Sequence, residues 1–278
     1  MPGSNTLEGM TAVVTGASGA IGGSCAHELV RDGATLLIMA RNEEKLAAAR
    51  EAMLARNPGA RIECFPGDAA DEDQVKAAME RAHSLTGRLD IVVATIGHGG
   101  FMPLLLETTE GFIREYQTSV LSAFYAMKHA VPLMRKGGSI VCISSAAAVR
   151  PSHGLGAYCA AKAALDMFVQ VAADELGSAG IRINSVRPGL VRSAGAKVDP
   201  EIFESFRPVI PLGRVGEGED IAPAVRFLAG PESNWVTGQC LNADGGQGLR
   251  GFPKPSSRLD TMFGAEVMAK VRAGKPPR

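Results

Sequence analysis

The chain has 278 residues, of which 46% are hydrophobic and 21% are charged. Its 29 basic and 29 acidic residues cancel, which argues against nucleic acid or an anionic membrane as a partner. Five scattered cysteines without a CxxC pair, and five histidines without metal-ligand spacing, argue against a disulfide framework or metal centre and favour the cytoplasm. The sequence contains neither a signal-peptide pattern nor an apolar run of about 18 residues.

Short runs rich in Val, Ile and Leu alternate with longer helical patterns. Seven runs predict strands, mostly buried on both faces: 10–15, 35–40, 61–65, 90–95, 139–144, 181–186 and 239–243. Helices are predicted between them, including one that starts on the cap-forming Asn42 and long ones over 109–135 and 156–178. This alternation predicts one α/β domain over 1–250, with a parallel sheet covered by helices on both faces.

Residues 251–278 form an extension of different character. Counted from Arg250, this tail has seven basic and two acidic residues. Its apolar residues recur at helical spacing, which predicts a partly helical, amphipathic segment: Leu259, Met262, Phe263, Val267 and Val271. Two roles are open: a helix docked on its own or a neighbouring subunit, and a lid over a substrate site.

The turn after the first strand is rich in glycine. Its sequence TGASGAIGG, residues 15–23, follows the strand directly and opens the first helix. Glycines at such a turn let the backbone approach a pyrophosphate, whose charge is stabilised by the helix N-terminus. In this position the pattern predicts a dinucleotide site. The residues expected to form it are Gly16, Ser18, Ala20, Ile21 and Gly22.

The end of the second strand indicates which dinucleotide is bound. A sheet that binds NAD usually has an acidic residue here, which accepts hydrogen bonds from the ribose hydroxyls. This chain has Ala40 followed by Arg41, and a guanidinium binds a 2′-phosphate that a carboxylate would repel. With a further hydrogen bond from Ser18, we expect NADP(H) to be favoured over NAD(H), unless Arg41 is only a solvated loop residue.

Eight segments, in order along the chain, resemble the short-chain dehydrogenase/reductase family over about residues 7–250. They are TGASGAIG (15–22), GDAAD (67–71), LDIVVATIG (89–97), SIVCISS (139–145), YCAAK (158–162), RPGLVRS (187–193), PLGRVGEGEDIA (211–222) and VTGQCLNADGG (236–246). The resemblance implies a Rossmann-type doubly wound parallel sheet of about seven strands. It also implies an NAD(P)-dependent oxidoreductase that acts on CH–OH groups.

The YCAAK segment carries the catalytic residues that the resemblance implies. Tyr158 and Lys162 are four residues apart on one predicted helix and so share a face. By resemblance, Tyr158 donates or accepts the proton, Lys162 holds the nicotinamide ribose, and Ser145 orients the substrate oxygen. The usual pKa of tyrosine is about 10, and we expect the Lys162 ammonium and an oxidised nicotinamide both to lower the pKa of Tyr158.

Further cofactor contacts are implied by the resemblance alone. Asp68 matches an aspartate near the adenine, and the backbone N–H of Val191 matches one that bonds the nicotinamide carboxamide. Ser193 stands where the family usually has threonine. The remaining matches, which line the cofactor floor and the nicotinamide, are Ala94, Gly97, Pro188 and Gly189.

Three features depart from the family pattern. Ala20 replaces a glycine of the turn and adds a methyl group beside the pyrophosphate. The segment ATIG (94–97) lacks asparagines that tie the central strand to its neighbours, and we expect Thr95 to take over part of that task. Ser119 stands where an asparagine helps to relay protons to the lysine. Because serine is shorter, a second water would be needed, which affects rate and pH profile more than reaction type.

The substrate pocket is expected to be lined from 95–104, 146–157 and 193–212. These segments are mostly apolar and include His98 and His153, which favours a hydrophobic ketone or secondary alcohol. The stretch 194–210 is long for a connection in a compact domain and predicts a flap.

Two other functions stay open. One is an NAD-dependent alcohol dehydrogenase of the same fold, if Arg41 points away from the ribose. The other is a non-catalytic dinucleotide-binding sensor, suggested by Ser119 and the altered ATIG segment. By resemblance, the helices over 109–135 and 156–178 pair subunits, which implies a homotetramer or dimer.

Overall fold

A computed structural model describes residues 6–95, 97, 99–192, 200–251, 253 and 256–276. Seven parallel strands form one sheet in the order β3-β2-β1-β4-β5-β6-β7. The strands are β1 (Thr11–Thr15), β2 (Thr35–Ala40), β3 (Ile62–Pro66), β4 (Leu89–Ala94), β5 (Met134–Ile143), β6 (Arg182–Pro188) and β7 (Cys240–Ala243). The order reverses between β1 and β4, and ligands bind at the carboxyl ends of the strands around such a reversal. The predicted doubly wound α/β fold is confirmed.

Helices cover both faces of the sheet. They are α1 (Ala20–Arg31), α2 (Glu43–Arg56), α3 (Glu72–Thr86), α4 (Thr109–Tyr116), α5 (Ser122–Ala130), α6 (Gly156–Leu176), α7 (Pro200–Phe206), α8 (Gly218–Ala229), α9 (Gln247–Arg250), α10 (Ser256–Phe263) and α11 (Ala265–Arg272). Side chains alternate along each strand, so Val14 packs towards α1, α2 and α8, and Val13 towards α3, α5 and α6. The inner strands β1, β4 and β6 are buried on both faces, whereas the edge strands β3 and β7 are partly exposed.

The helix predicted over 109–135 is interrupted and ends earlier than expected. It consists of α4, a π-helical turn over Gln117–Leu121 and α5, which stops at Ala130. Pro132 lies in a short 3-10 turn before β5 begins at Met134. Proline has no N–H to continue the helical ladder, which ends the helix before the predicted point. The start of α2 is as predicted, because Asn42 Oδ1 accepts a hydrogen bond from Lys45 N at 2.7 Å.

The tail is helical but not one amphipathic helix. Gly264 has φ +89° and separates α10 from α11, which a salt bridge from Arg272 to Asp260 holds together. Leu259 is buried as expected, whereas Met262 is about half exposed, so the predicted apolar face is only partly used. No helix in the described part of the chain is both long and apolar enough to span a membrane.

Candidate active site

The first of two adjoining cavities opens at the carboxyl ends of β1, β2 and β4. It measures about 390 Å³ and brings together five of the predicted cofactor residues, Gly16, Ser18, Arg41, Asp68 and Gly97. Its other lining residues are Gly19, Met39, Ala40, Asn42, Lys45, Gly67, Ala69, Ala70, Thr95 and Thr118. This cavity has the position and polarity expected for the adenosine half of a dinucleotide.

The glycine turn has the shape that a pyrophosphate requires. Gly16 has φ +64°, and a Cβ on Gly22 would clash with the carbonyl oxygen of Gly16 and lie 2.8 Å from Thr95 Oγ1. Helix α1 begins at Ala20, and within the described chain no side chain caps it. Its first N–H groups can therefore bind an anion, so a pyrophosphate fits here.

The far end of the same cavity is rich in cationic groups. β2 ends at Ala40, as expected, and the Arg41 guanidinium lies 4.0 Å from the carboxylate of Asp68 with its side chain 80% exposed. Lys45, which the sequence analysis missed, lines the same cavity. The sequence feature that could have indicated Lys45 is its position four residues after Arg41, in the first turn of α2. Two cations beside one carboxylate suit a ligand that carries an extra phosphate.

Thr95 ties the end of β4 to β1. Its backbone N–H donates to Thr15 Oγ1 at 3.1 Å, and its own hydroxyl donates to the Thr15 carbonyl oxygen. The expectation that Thr95 would do part of the work of the missing asparagines is thus confirmed. Ala94 is buried in the core and its side chain lines neither cavity, because successive side chains of a strand point to opposite faces. Thr95 and Gly97 form the floor that both cavities share.

The second cavity, about 240 Å³, contains the predicted catalytic residues Ser145, Tyr158 and Lys162. The predicted nicotinamide residues Pro188, Gly189 and Val191 are also there, together with Ile21 of the glycine turn. Ser145 follows β5, and its Oγ accepts a hydrogen bond from Ala147 N at 3.1 Å. The Ser145 side chain also bonds that of Tyr158. Ser144 instead lies near the α6 backbone, 3.5 Å from the Lys162 carbonyl oxygen.

Comparison with known proteins agrees with this geometry. A family profile described as Enoyl-(Acyl carrier protein) reductase matches residues 16–247. The 7alpha-hydroxysteroid dehydrogenase of Escherichia coli K12 is 32% identical and aligns over 86% of this chain and 94% of its own. A short-chain type dehydrogenase/reductase from Mycobacterium ulcerans superposes with TM-score 0.89 and 37% identity, over 95% of this chain and 98% of that one. The chain belongs to the short-chain dehydrogenase/reductase family.

Two further solved members of the family carry cofactors. A short-chain dehydrogenase from Burkholderia cenocepacia in complex with NADP has TM-score 0.82 and 32% identity, over 87% of this chain and 99% of that one. A 7α-hydroxysteroid dehydrogenase in complex with NADH has TM-score 0.83 and 30% identity, over 91% of this chain and 99% of that one. This short-chain dehydrogenase/reductase is thus an NAD(P)-dependent oxidoreductase that acts on CH–OH groups.

Burial dominates the electrostatics of the catalytic pair. It raises the pKa of Tyr158, a rise that the bond with Ser145 opposes and the charge of Glu115 reinforces. The net shift in this structure is therefore upward, and the expected lowering of the Tyr158 pKa by the Lys162 ammonium and an oxidised nicotinamide stays a prediction for the cofactor-loaded site. Lys162 Nζ lies 5.7 Å from the centre of the Tyr158 ring and donates to the Ile143 carbonyl oxygen at 2.9 Å. Burial also lowers the pKa of Lys162 to about 8.

Ser119 lies beside the lysine of this short-chain dehydrogenase/reductase. The π-helical turn places Ser119 in the interior, and its Oγ has no hydrogen-bond partner in the described structure. A Cβ on Gly97 would lie 2.5 Å from Lys162 Nζ and 3.4 Å from Ser119 Oγ, so these atoms are near enough for bridging water. One turn earlier, Glu115 Oε1 accepts a hydrogen bond from Gly100 N at 3.4 Å. The sequence analysis missed Glu115; its signal was an acidic side chain four residues before Ser119.

Some predicted residues are not brought into the site. His153 is exposed, and His98, Ser193 and the 194–199 part of the predicted flap lie outside the described residues. Val191 pairs with Gly216 through a parallel β-bridge, which holds the segment after β6 in place. No cluster of three or more metal-ligating side chains occurs in the part of the chain that the structure describes.

Proposed function

We propose that this short-chain dehydrogenase/reductase transfers hydride between NADP(H) and a hydrophobic carbonyl or secondary alcohol substrate, with Tyr158 as general acid and base. The observation that carries the proposal is the hydrogen bond of Ser145 with Tyr158, beside the Lys162 ammonium, in a cavity that shares its floor with the dinucleotide cavity. A proton donor and an oxygen-binding hydroxyl therefore converge on one point.

In carbonyl reduction, the Tyr158 phenol donates its proton to the substrate oxygen while the Ser145 hydroxyl holds that oxygen by a second hydrogen bond. A bound nicotinamide supplies the hydride when reduced and accepts it when oxidised. Burial raises the pKa of Tyr158 and so favours the phenol, the form that donates a proton to a carbonyl oxygen. Lys162 donates a hydrogen bond to the Ile143 carbonyl oxygen and is positioned to bind the ribose. Ser119, together with water, is positioned to relay a proton to Lys162.

The preference for NADP(H) rests on charge. Arg41 and Lys45 line the adenosine cavity, and β2 ends without a carboxylate to bond the ribose hydroxyls. A guanidinium and an ammonium together stabilise a 2′-phosphate dianion. The rival, an NAD-dependent alcohol dehydrogenase, is favoured by one observation: the exposed Arg41 lies towards Asp68.

The test compares kcat/KM for NADPH and NADH with carbonyl compounds as cosubstrates. We expect NADPH to be favoured, and Arg41→Gln to reduce the preference about tenfold or more, since a charge-assisted bidentate bond is lost. Arg56→Gln, at the exposed end of α2, is the matched control. A preference that is unchanged in Arg41→Gln would make the NADP(H) proposal wrong.

A second measurement tests catalysis itself. Tyr158→Phe should bind NADPH as the parent chain does but lose turnover, because the proton donor is gone. Turnover that persists in Tyr158→Phe would refute the assignment of Tyr158. If the parent chain binds NADPH tightly but turns over no carbonyl or alcohol, the protein is a dinucleotide-binding sensor.

Subunit pairing and location are also proposals. Five large apolar side chains on α4 and α6 are at least 43% exposed: Phe112, Ile113, Tyr116, Met167 and Val171. Such a patch supports a homodimer or homotetramer formed through these helices, and the particle mass in solution tests it. All five cysteines are free thiols, which suits the cytoplasm.

A further inference from the structure

The tail helix α10 is packed against two loops that flank the catalytic tyrosine. A Cβ on Gly99 would lie 3.2 Å from the Tyr158 ring, so the loop after β4 passes directly over that ring. This loop is bonded to the one before α6, because Met102 N donates to the Gly154 carbonyl oxygen at 2.6 Å. The two loops therefore form one surface beside the second cavity.

Two consecutive residues of α10 contact that surface. Leu259 is 5% exposed, and its Cδ2 lies 3.4 Å from the point that a Cβ on Gly154 would occupy. The guanidinium carbon of Arg258 lies 4.6 Å from the centre of the Phe101 ring. Phe101 is only two residues after Gly99, so Arg258 contacts the same loop that passes over the Tyr158 ring.

The helix pair holds this position by its own contacts. Met268 of α11 is buried, and the Arg272–Asp260 salt bridge joins the two helices. These contacts hold α10 in a fixed position beside the two loops. The acidic residues Asp260 and Glu266 are both engaged by cations of the tail, Arg272 and Lys270.

Arg258 differs from Lys270 and Arg272, the two tail cations that form salt bridges. The Arg258 Nε donates to the Met262 sulfur at 3.4 Å, and no described carboxylate pairs with Arg258. A guanidinium stacked on an aromatic ring keeps its N–H groups in a plane where a carboxylate can be bound through two hydrogen bonds. The stack therefore offers an apolar face and a cationic edge together.

We propose that α10 is the outer wall of the substrate pocket, and that the Arg258–Phe101 stack selects carbonyl substrates with an apolar body and a carboxylate remote from the reacting carbon. This rests on the proposed oxidoreductase function and specifies its substrate class. The carboxylate bonds Arg258 while the carbonyl oxygen reaches Ser145 and Tyr158.

The test measures binding, so that it is independent of turnover. The protein loaded with NADP⁺ binds a ketone without reducing it, and dissociation constants are measured for 4-acetylbenzoate and its methyl ester. We expect the acid to bind at least tenfold more tightly, and Arg258→Gln to bring the two within about twofold of each other. Arg258→Lys should retain part of the preference, and Lys270→Gln, the matched control, all of it.

Leu259→Ala tests the wall itself. It should weaken the binding of both ketones by a similar factor, because the wall loosens while the charge stays. NADPH binding should be unchanged in all four variants, since none of these residues lines the adenosine cavity. The proposal is overturned if neither ketone binds, if the acid is not preferred, or if Arg258→Gln keeps the preference. It is also overturned if Leu259→Ala leaves both affinities unchanged. Binding without hydride transfer from NADPH would instead contradict only the proposed oxidoreductase function.

Discussion

The buried ammonium of Lys162 makes the stability of the folded protein depend on pH. Lys162 is 1% exposed, and burial lowers its pKa from 10.5 to about 8. Below a pH of about 8, Lys162 is charged in both the folded and the unfolded protein. The folded protein then bears the full free-energy cost of burying that charge. Between the two values the folded state has lost a proton that the unfolded state keeps, so the free energy of unfolding rises with pH.

The size of this rise follows from the shift in the pKa. Each unit corresponds to about 1.4 kcal/mol, so a fall from 10.5 to about 8 corresponds to about 3 kcal/mol. In Lys162→Met the titrating group is absent, while an unbranched chain fills much of the same space. The lost hydrogen bond to the Ile143 carbonyl oxygen adds an offset that is the same at every pH.

The assay is urea unfolding of the cofactor-free parent and variant at several pH values. We expect the free energy of unfolding of the parent, relative to that of Lys162→Met, to rise by about 3 kcal/mol between about pH 7 and pH 10.5. Lys76→Met, at an exposed position of α3, should leave this profile unchanged. A difference between parent and Lys162→Met that is constant over the range would refute the reasoning, because Lys162 would then not titrate there.

Two further substitutions test the surroundings of the catalytic pair. Glu115→Gln removes a charge that raises the pKa of both Tyr158 and Lys162. The alkaline fall in the rate of carbonyl reduction should therefore occur at lower pH, and Glu110→Gln, an exposed change on the same helix, should not move it. An unmoved alkaline limb in Glu115→Gln would contradict this. Thr95→Val removes the side-chain bond to β1 and should lower the free energy of unfolding by about 1–2 kcal/mol, measured in urea; no loss would show that the tie does not stabilise the sheet.

The strands could be predicted because the inner ones are continuous apolar runs. β2 occupies the predicted residues 35–40, and the other strands except β5 differ by one or two residues at their ends. β5 starts five residues before its predicted start because the added residues, MRKGG, lack an apolar pattern and the first four of them are partly to fully exposed. Its first pairing, Met134 with Leu89, is a contact with a strand distant in sequence.

The candidate site was predicted where a motif names residues close together in sequence. Tyr158 and Lys162 share a helix face, and the glycine turn follows its strand directly, so spacing was sufficient. Lys45 and Glu115 were missed because their importance comes from neighbours in space. Lys45 is defined by the cavity that it shares with Asp68, and Glu115 by its bond to Gly100.

The amino-acid sequence alone determined the order of strands and helices, the family and the residues that carry the chemistry, because those depend on local periodicity and short spacings. Tertiary structure alone decided that burial governs the pKa of Tyr158, that Thr95 is hydrogen-bonded to Thr15, and that α10 packs on the loop that contains Phe101. These depend on burial and on contacts between segments far apart in the chain, and a pKa responds to every group that displaces water around it.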